Sequence, residues 1–172
     1  MKHTLLALLL VATAGLTTLC ANETAQNISF DFTTSAGANI KIVETEKGFD
    51  FPTFKEKNVI IMFYIYPGKP CRNELQLFTK VKAKHTDLEF VTFDLKGLDN
   101  QGLKALENEL GLKDLHMIDT KQAQPFSSYI SQRIKWQGSV PLLIVVNKAG
   151  EVTHMQLGAM SEEETETMLK QL

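Results

Sequence analysis

The residues best suited to chemistry fall in one short run, Gly68-Lys69-Pro70-Cys71, between an apolar stretch and a sequence of helical periodicity. A cysteine at a helix N-terminus faces unpaired backbone N–H groups, which favour the thiolate, the form that attacks disulfides and peroxides. Pro70 suits the first turn, where its missing N–H costs nothing. Lys69 and Arg72 frame the same turn, and a helix N-terminus beside two cations could hold a carboxylate or a phosphate. The plainer reading makes Cys71 a small hydrophobe on the core side of the helix and the two cations solvated. Further on, Pro141 stands before an apolar run, and Trp136 precedes it as a core or rim aromatic or as a wall of a groove.

Other chemistries find little support. His85, His116 and His154 are scattered without ligand spacing, so no metal and no cofactor are expected. The chain of 172 residues carries a net charge of −2 and no basic cluster able to neutralise a run of phosphates, which argues against nucleic acid as a partner.

The N-terminus reads as an export signal. Lys2 and His3 precede the apolar run "TLLALLLVATAGL", and "TTLCAN" follows. A membrane-spanning helix needs about 20 apolar residues, more than this run supplies. Residues 1–21 are therefore expected to be a signal peptide, residues 22–27 a polar, flexible linker, and residues 28–172 one domain. "LTTLC" resembles a bacterial lipobox, which would make Cys20 a lipid-bearing residue and the lipid the chain's one tie to a membrane. Leu19 stands where such motifs carry a small residue, so removal of Cys20 with the signal is the alternative. The expected location is the bacterial periplasm or cell envelope. Paired cysteines there normally become disulfides, yet only Cys71 remains, with Cys20 if it survives, so no disulfide framework can form.

The elements that position Cys71 follow from periodicity. "ISFDFTT" and "NIKIVET" alternate apolar and polar residues about "SAGA", a β-hairpin pattern. "EKGFDFPTFKEKN" reads as a charged connection broken by Gly48 and Pro52. "VIIMFYIY" (59–66) is a continuous apolar run, which suggests a strand buried on both faces, and "LEFVTFDL" (88–95) reads as a second buried strand. Between them Cys71, Leu75, Phe78 and Val81 fall on one helical face, extending to about His85. Helical register returns in "QGLKALENELGL", with Gly111 as its stop, and in "QPFSSYISQRIKW". "LHMID" between them suits a short extended piece. "VPLLIVVNKAGEVTHMQLG" reads as two antiparallel strands about a tight turn. Ser161 with Glu164 then forms a capping box for a last helix.

This order, with the strand–"PGKPC"–helix junction, "GSVPLLIVVNKAGEV" and the closing capped helix, resembles the thioredoxin superfamily. The long separation of Cys71 from Pro141, the signal peptide and the leading hairpin resemble its exported TlpA/ResA-like branch. The resemblance implies an α/β thioredoxin-like fold: a central mixed β-sheet flanked by helices, with an N-terminal β-hairpin and a helical insertion (97–135) before a cis-proline loop at Pro141. It also assigns roles. The attacking cysteine of a C-x-x-C site would stand at Gly68, and Cys71 takes the resolving position. A dithiol cycle needs both sulfurs, and Cys20 is too remote on a polar tether to replace the first. Peroxiredoxins, in the same superfamily, carry a reactive cysteine at the Cys71 position, but with a threonine and a proline where this chain has Gly68 and Tyr64. Arg72 or Arg133 could stabilise such a thiolate.

Two functions remain. The first is a protein that has lost dithiol chemistry and binds a protein or peptide client through Pro67, Lys69, Pro70, Arg72, Val140, Pro141 and Trp136, the residue before the cis-proline offering backbone hydrogen bonds. The second is a redox enzyme using Cys71 alone, as a peroxidase or in monothiol disulfide exchange.

Overall fold

A computed structural model describes residues 28–66 and 68–172. The expected signal peptide, linker and Cys20 lie outside the described residues, as does Pro67.

The described residues begin with the expected hairpin. β1 (Ser29–Thr33) and β2 (Asn39–Glu44) pair antiparallel, Phe32 opposite Ile40, with alternate residues turned inward. The segment read as a charged connection is more ordered than its charges imply. It contains a third strand, β3 (Phe49–Asp50), paired to β2, and then a short 3-10 turn at Pro52–Phe54. Phe49, Phe51 and Phe54 are all buried, and these three aromatics outweigh the surrounding charges.

The main sheet has five strands in the order β6-β5-β4-β7-β8. Its centre, β4 (Asn58–Tyr64), and its neighbour β5 (Leu88–Asp94) are buried along their whole lengths; β4 is apolar from Val59 on, while β5 buries Glu89, Thr92 and Asp94 among its apolar residues. They pair parallel, joined by α1 (Lys69–Lys84). The long insertion supplies α2 (Asn100–Leu110), β6 (His116–Ile118) and α3 (Thr120–Ile134). It is thus not wholly helical, since β6 joins the sheet parallel to β5. Gly111 ends α2 at φ 64°, the left-handed conformation that glycine adopts without penalty. α3 starts before the segment whose periodicity is clear. Asp119 caps it by accepting the Gln122 N–H at 3.0 Å, and Pro125 is carried inside the helix.

β7 (Leu142–Val146) and β8 (Val152–Leu157) pair antiparallel, β7 also antiparallel to β4, which makes the sheet mixed. The last helix, α4 (Glu162–Leu169), has both halves of its capping box between Ser161 and Glu164. Side-chain alternation along β4 divides the core. Ile60, Met62 and Tyr64 face α1, α2 and α4, while Val59, Ile61 and Phe63 face α3 and the small sheet. Among the described residues no helix is long and apolar enough to cross a membrane.

Candidate functional site around Cys71

The run from β4 into α1 places Gly68 as the N-cap and Cys71 within the first turn. Gly68 donates its N–H to Ile65 O at 3.1 Å and accepts the Arg72 N–H at 3.0 Å, so the turn before the helix is closed by backbone alone. No cap side chain contributes. Lys69 and Pro70 are exposed, whereas Cys71 points into the core at 2% exposure, packed with Tyr64, Leu75 and Phe78.

That burial decides the state of the sulfur. Desolvation pushes the Cys71 thiol above its ordinary range and the nearby Glu74 carboxyl adds to the rise, against opposing backbone hydrogen bonds from Ile65 and from Cys71 itself. The neutral thiol therefore prevails at neutral pH, and a thiol is a poor nucleophile. No second cysteine stands among the described residues to form a bridge with it.

Of the two cations of the turn, Lys69 is exposed and makes no ion pair among the described residues, while Arg72 is engaged. Arg72 Nη2 lies 2.6 Å from Glu109 Oε1, and its guanidinium sits 5.6 Å from the Tyr66 ring centroid. Tyr66 in turn donates its hydroxyl to Glu109 Oε2 at 3.1 Å. The helix-start cation thus ties α1 to α2 and brings no net charge to an anion or to Cys71. Arg133 is engaged far along the chain, with Glu44 and with the Tyr129 hydroxyl. Both arginines that could have stabilised a thiolate at Cys71 are thus engaged by carboxylates.

The structure adds buried polar groups that residue patterns did not single out. Glu74 is 1% exposed, three residues after Cys71 on the same helical face. Its Oε2 accepts the Met160 N–H at 3.0 Å, while its Oε1 has no partner among the described residues. Burial raises this carboxyl to about 7, against the Met160 hydrogen bond and with a further rise from Glu164. The signal was present, because i and i+3 share a helix face, so the Cys71–Leu75–Phe78 stripe also takes in Glu74. Beneath them, the hydroxyl of Tyr64 and Oδ1 of Asp94, neighbours across the β4–β5 pair, are likewise buried without partners. Oδ2 of Asp94 accepts from the Lys96 and Leu98 N–H groups and from the Thr120 hydroxyl.

The loop before β7 carries the other expected residues. The Val140–Pro141 peptide bond is cis, and the Pro141 carbonyl accepts the Gly158 N–H at 2.8 Å. Val140, half-buried, packs against both halves of the core, which sets the loop over the end of the sheet on the Cys71 side. Its own backbone N–H and C=O take part in no hydrogen bond among the described residues. Trp136 is mostly buried against Phe63 and donates its indole N–H to Ser139 O at 2.8 Å, bracing the loop from behind.

A mixed five-stranded sheet between helices, a strand delivering a cysteine to a helix start and a cis-proline loop before an antiparallel pair define a thioredoxin-like fold. Solved structures agree. The chain is similar to StoA from Bacillus subtilis at 16% identity and a TM-score of 0.60, over 83% of this chain and 97% of that one. It is similar to the exposed lipoprotein thioredoxin of Streptococcus pneumoniae at 17% identity and a TM-score of 0.63, over 84% and 100%. A third, a secreted Mycobacterium tuberculosis disulfide oxidoreductase homologous to Escherichia coli DsbE, matches at 20% identity and a TM-score of 0.59, over 83% and 96%. No protein-family model and no curated protein matches the chain. One of these neighbours is described as a secreted disulfide oxidoreductase and another as an exposed lipoprotein thioredoxin, and at such identities the likeness is one of fold.

Proposed function

We propose that this is a cell-envelope thioredoxin-fold protein that has given up the dithiol cycle and binds an extended protein or peptide client at the Val140–Pro141 loop and the Gly68–Cys71 turn. The observation that carries this reading is the state of Cys71, a lone sulfur, buried and held neutral, with no attacking cysteine at Gly68. The unpaired Val140 backbone supports the binding role, because an extended chain recognised by its main chain needs such donors and acceptors. Export is supported by the basic-then-apolar N-terminus and by neighbours described as secreted or as an exposed lipoprotein.

Single-cysteine catalysis by Cys71 is the competing reading, and one measurement separates the two. Alkylation of the native protein across a pH series is expected to be slow, with an apparent thiol pKa above the ordinary value of about 8.5. Rapid alkylation with a pKa well below that value would overturn the binding reading in favour of the enzyme.

A further inference from the structure

β8 is the last strand of the main sheet, and among the described residues its outer edge is covered only at its start. There Val152 donates its N–H to Lys47 O at 3.2 Å, and Gly48 bridges Glu151. A bulge opposite Val145 and Val146 then resets the alternation. Gly158 donates its N–H inward to Pro141 O, so counting back along the strand turns the backbone of Gln156 and His154 towards β7 and that of Met155 and Leu157 outward. Those outward groups have no partner among the described residues. Natural edge strands are commonly blunted by lysine, proline or cover. The sequence from Thr153 to Leu157 has neither lysine nor proline.

The two faces beside this open edge differ in chemistry. Ile134, Met155 and Leu157, at 38%, 48% and 59% exposed, are three of the four large hydrophobic side chains exposed among the described residues. They line one apolar groove with Trp136 and Leu142. On the opposite face His154 and Gln156 border a second depression whose far wall carries Glu163 and Glu164. Glu164 is occupied in the cap of α4, while Glu163 makes no ion pair among the described residues.

We propose that the free edge of β8 is a strand-addition site for an extended segment in which apolar and basic residues alternate. An added strand pairs with the Met155 and Leu157 backbone, and its side chains point alternately to the two faces. One set falls into the Ile134–Trp136–Leu157 groove and the other over Glu163, so apolar side chains suit the first and Lys or Arg the second. Charge disfavours a second copy of this chain in the same place. Two β8 strands paired about a two-fold would bring two α4 helices, each opening with Glu162, Glu163 and Glu164, onto the same face. The surface uses neither Cys71 nor the Val140 backbone, so its failure leaves the reading of that loop standing.

The test uses the full chain with short labelled peptides that alternate Val with Lys or Val with Glu. Fluorescence anisotropy measures binding, and the single tryptophan, Trp136, reports from the groove wall. The Val/Lys peptide is expected to bind about tenfold more tightly than the Val/Glu peptide at low salt. Met155→Pro removes an outward donor without touching the β7 ladder, and Leu157→Ser removes exposed apolar surface with no cost to the core; each is expected to weaken binding by about tenfold. Glu163→Lys is expected to reverse the peptide preference. Absence of binding, equal binding of the two peptides, or indifference to both Leu157→Ser and Glu163→Lys would overturn the proposal. So would sedimentation showing a dimer of the wild-type chain that Leu157→Ser dissociates, since the edge would then belong to a second copy.

Discussion

Placing a second sulfur at Gly68 tests the geometry of the Cys71 turn directly. Gly68 has φ −55° and ψ 119°, a conformation open to any L-residue, so its substitution by cysteine carries no backbone strain. A Cβ built there lies 3.7 Å from Cys71 Sγ. In a disulfide each Cβ lies about 3 Å from the partner sulfur, so less than about 1 Å of movement closes the bridge. The opposing contact is Ile65 O at 3.2 Å from that Cβ, a main-chain oxygen that must give by a few tenths of an ångström. Chain-entropy arguments for so short a loop give about 2 kcal/mol of stabilisation in the oxidised form, reduced by whatever the Ile65 contact costs. Gly68→Cys is therefore expected to oxidise to an intramolecular disulfide, seen as a loss of two thiols by mass after alkylation. Its urea midpoint should be higher oxidised than reduced. Measurable turnover of a disulfide substrate by the reduced variant is expected as well, since an attacking thiol at the helix start then has Cys71 behind it. A folded Gly68→Cys protein that keeps two free thiols under an oxidising poise would refute the reasoning that less than about 1 Å of movement closes the bridge.

Two further predictions concern buried carboxylates, with opposite signs. Glu74 is raised from 4.5 to about 7 in the folded protein, so it binds its proton more tightly there than in the unfolded chain. Stability then falls as pH rises from 4.5 to 7, by about 3 kcal/mol at most, and Glu74→Gln should flatten that slope in urea titrations at a series of pH values. A wild-type midpoint that rises over this window would refute the assignment. Glu89, at the other end of the sheet, is disfavoured as an anion by its burial, but hydrogen bonds from His116, Lys57 and Lys82 prevail and hold it down at about 2. Its contribution, again about 3 kcal/mol, is complete above pH 4.5 and lost as pH falls towards 2. Acid unfolding of Glu89→Gln should lack that step, and an unchanged acid limb would show that the cluster contributes nothing.

The sequence by itself determined the features that rest on local covalent and periodic facts. The unbroken apolar run that starts at Val59 suits a strand covered on both faces, and β4 is such a strand. Ser161 and Glu164 cap α4 through groups three residues apart, a contact the chain makes without help from the rest of the fold. That position 68 is glycine, three residues before Cys71, is covalent, and no folding alters it. Tertiary structure decided what depends on residues distant in the chain. Phe49, Phe51 and Phe54 are separated by charges and turn signals, and only the surface waiting on β2 and the main sheet makes β3 and its following turn part of the core. Arg72 was legible as a cation at a helix start, but Glu109 on another helix takes its charge. The reactivity of Cys71 is the clearest case. A helix N-terminus alone would lower its pKa, whereas packing against Tyr64 and beside the buried Glu74 raises it, because desolvation belongs to the whole core and outweighs the field of one turn.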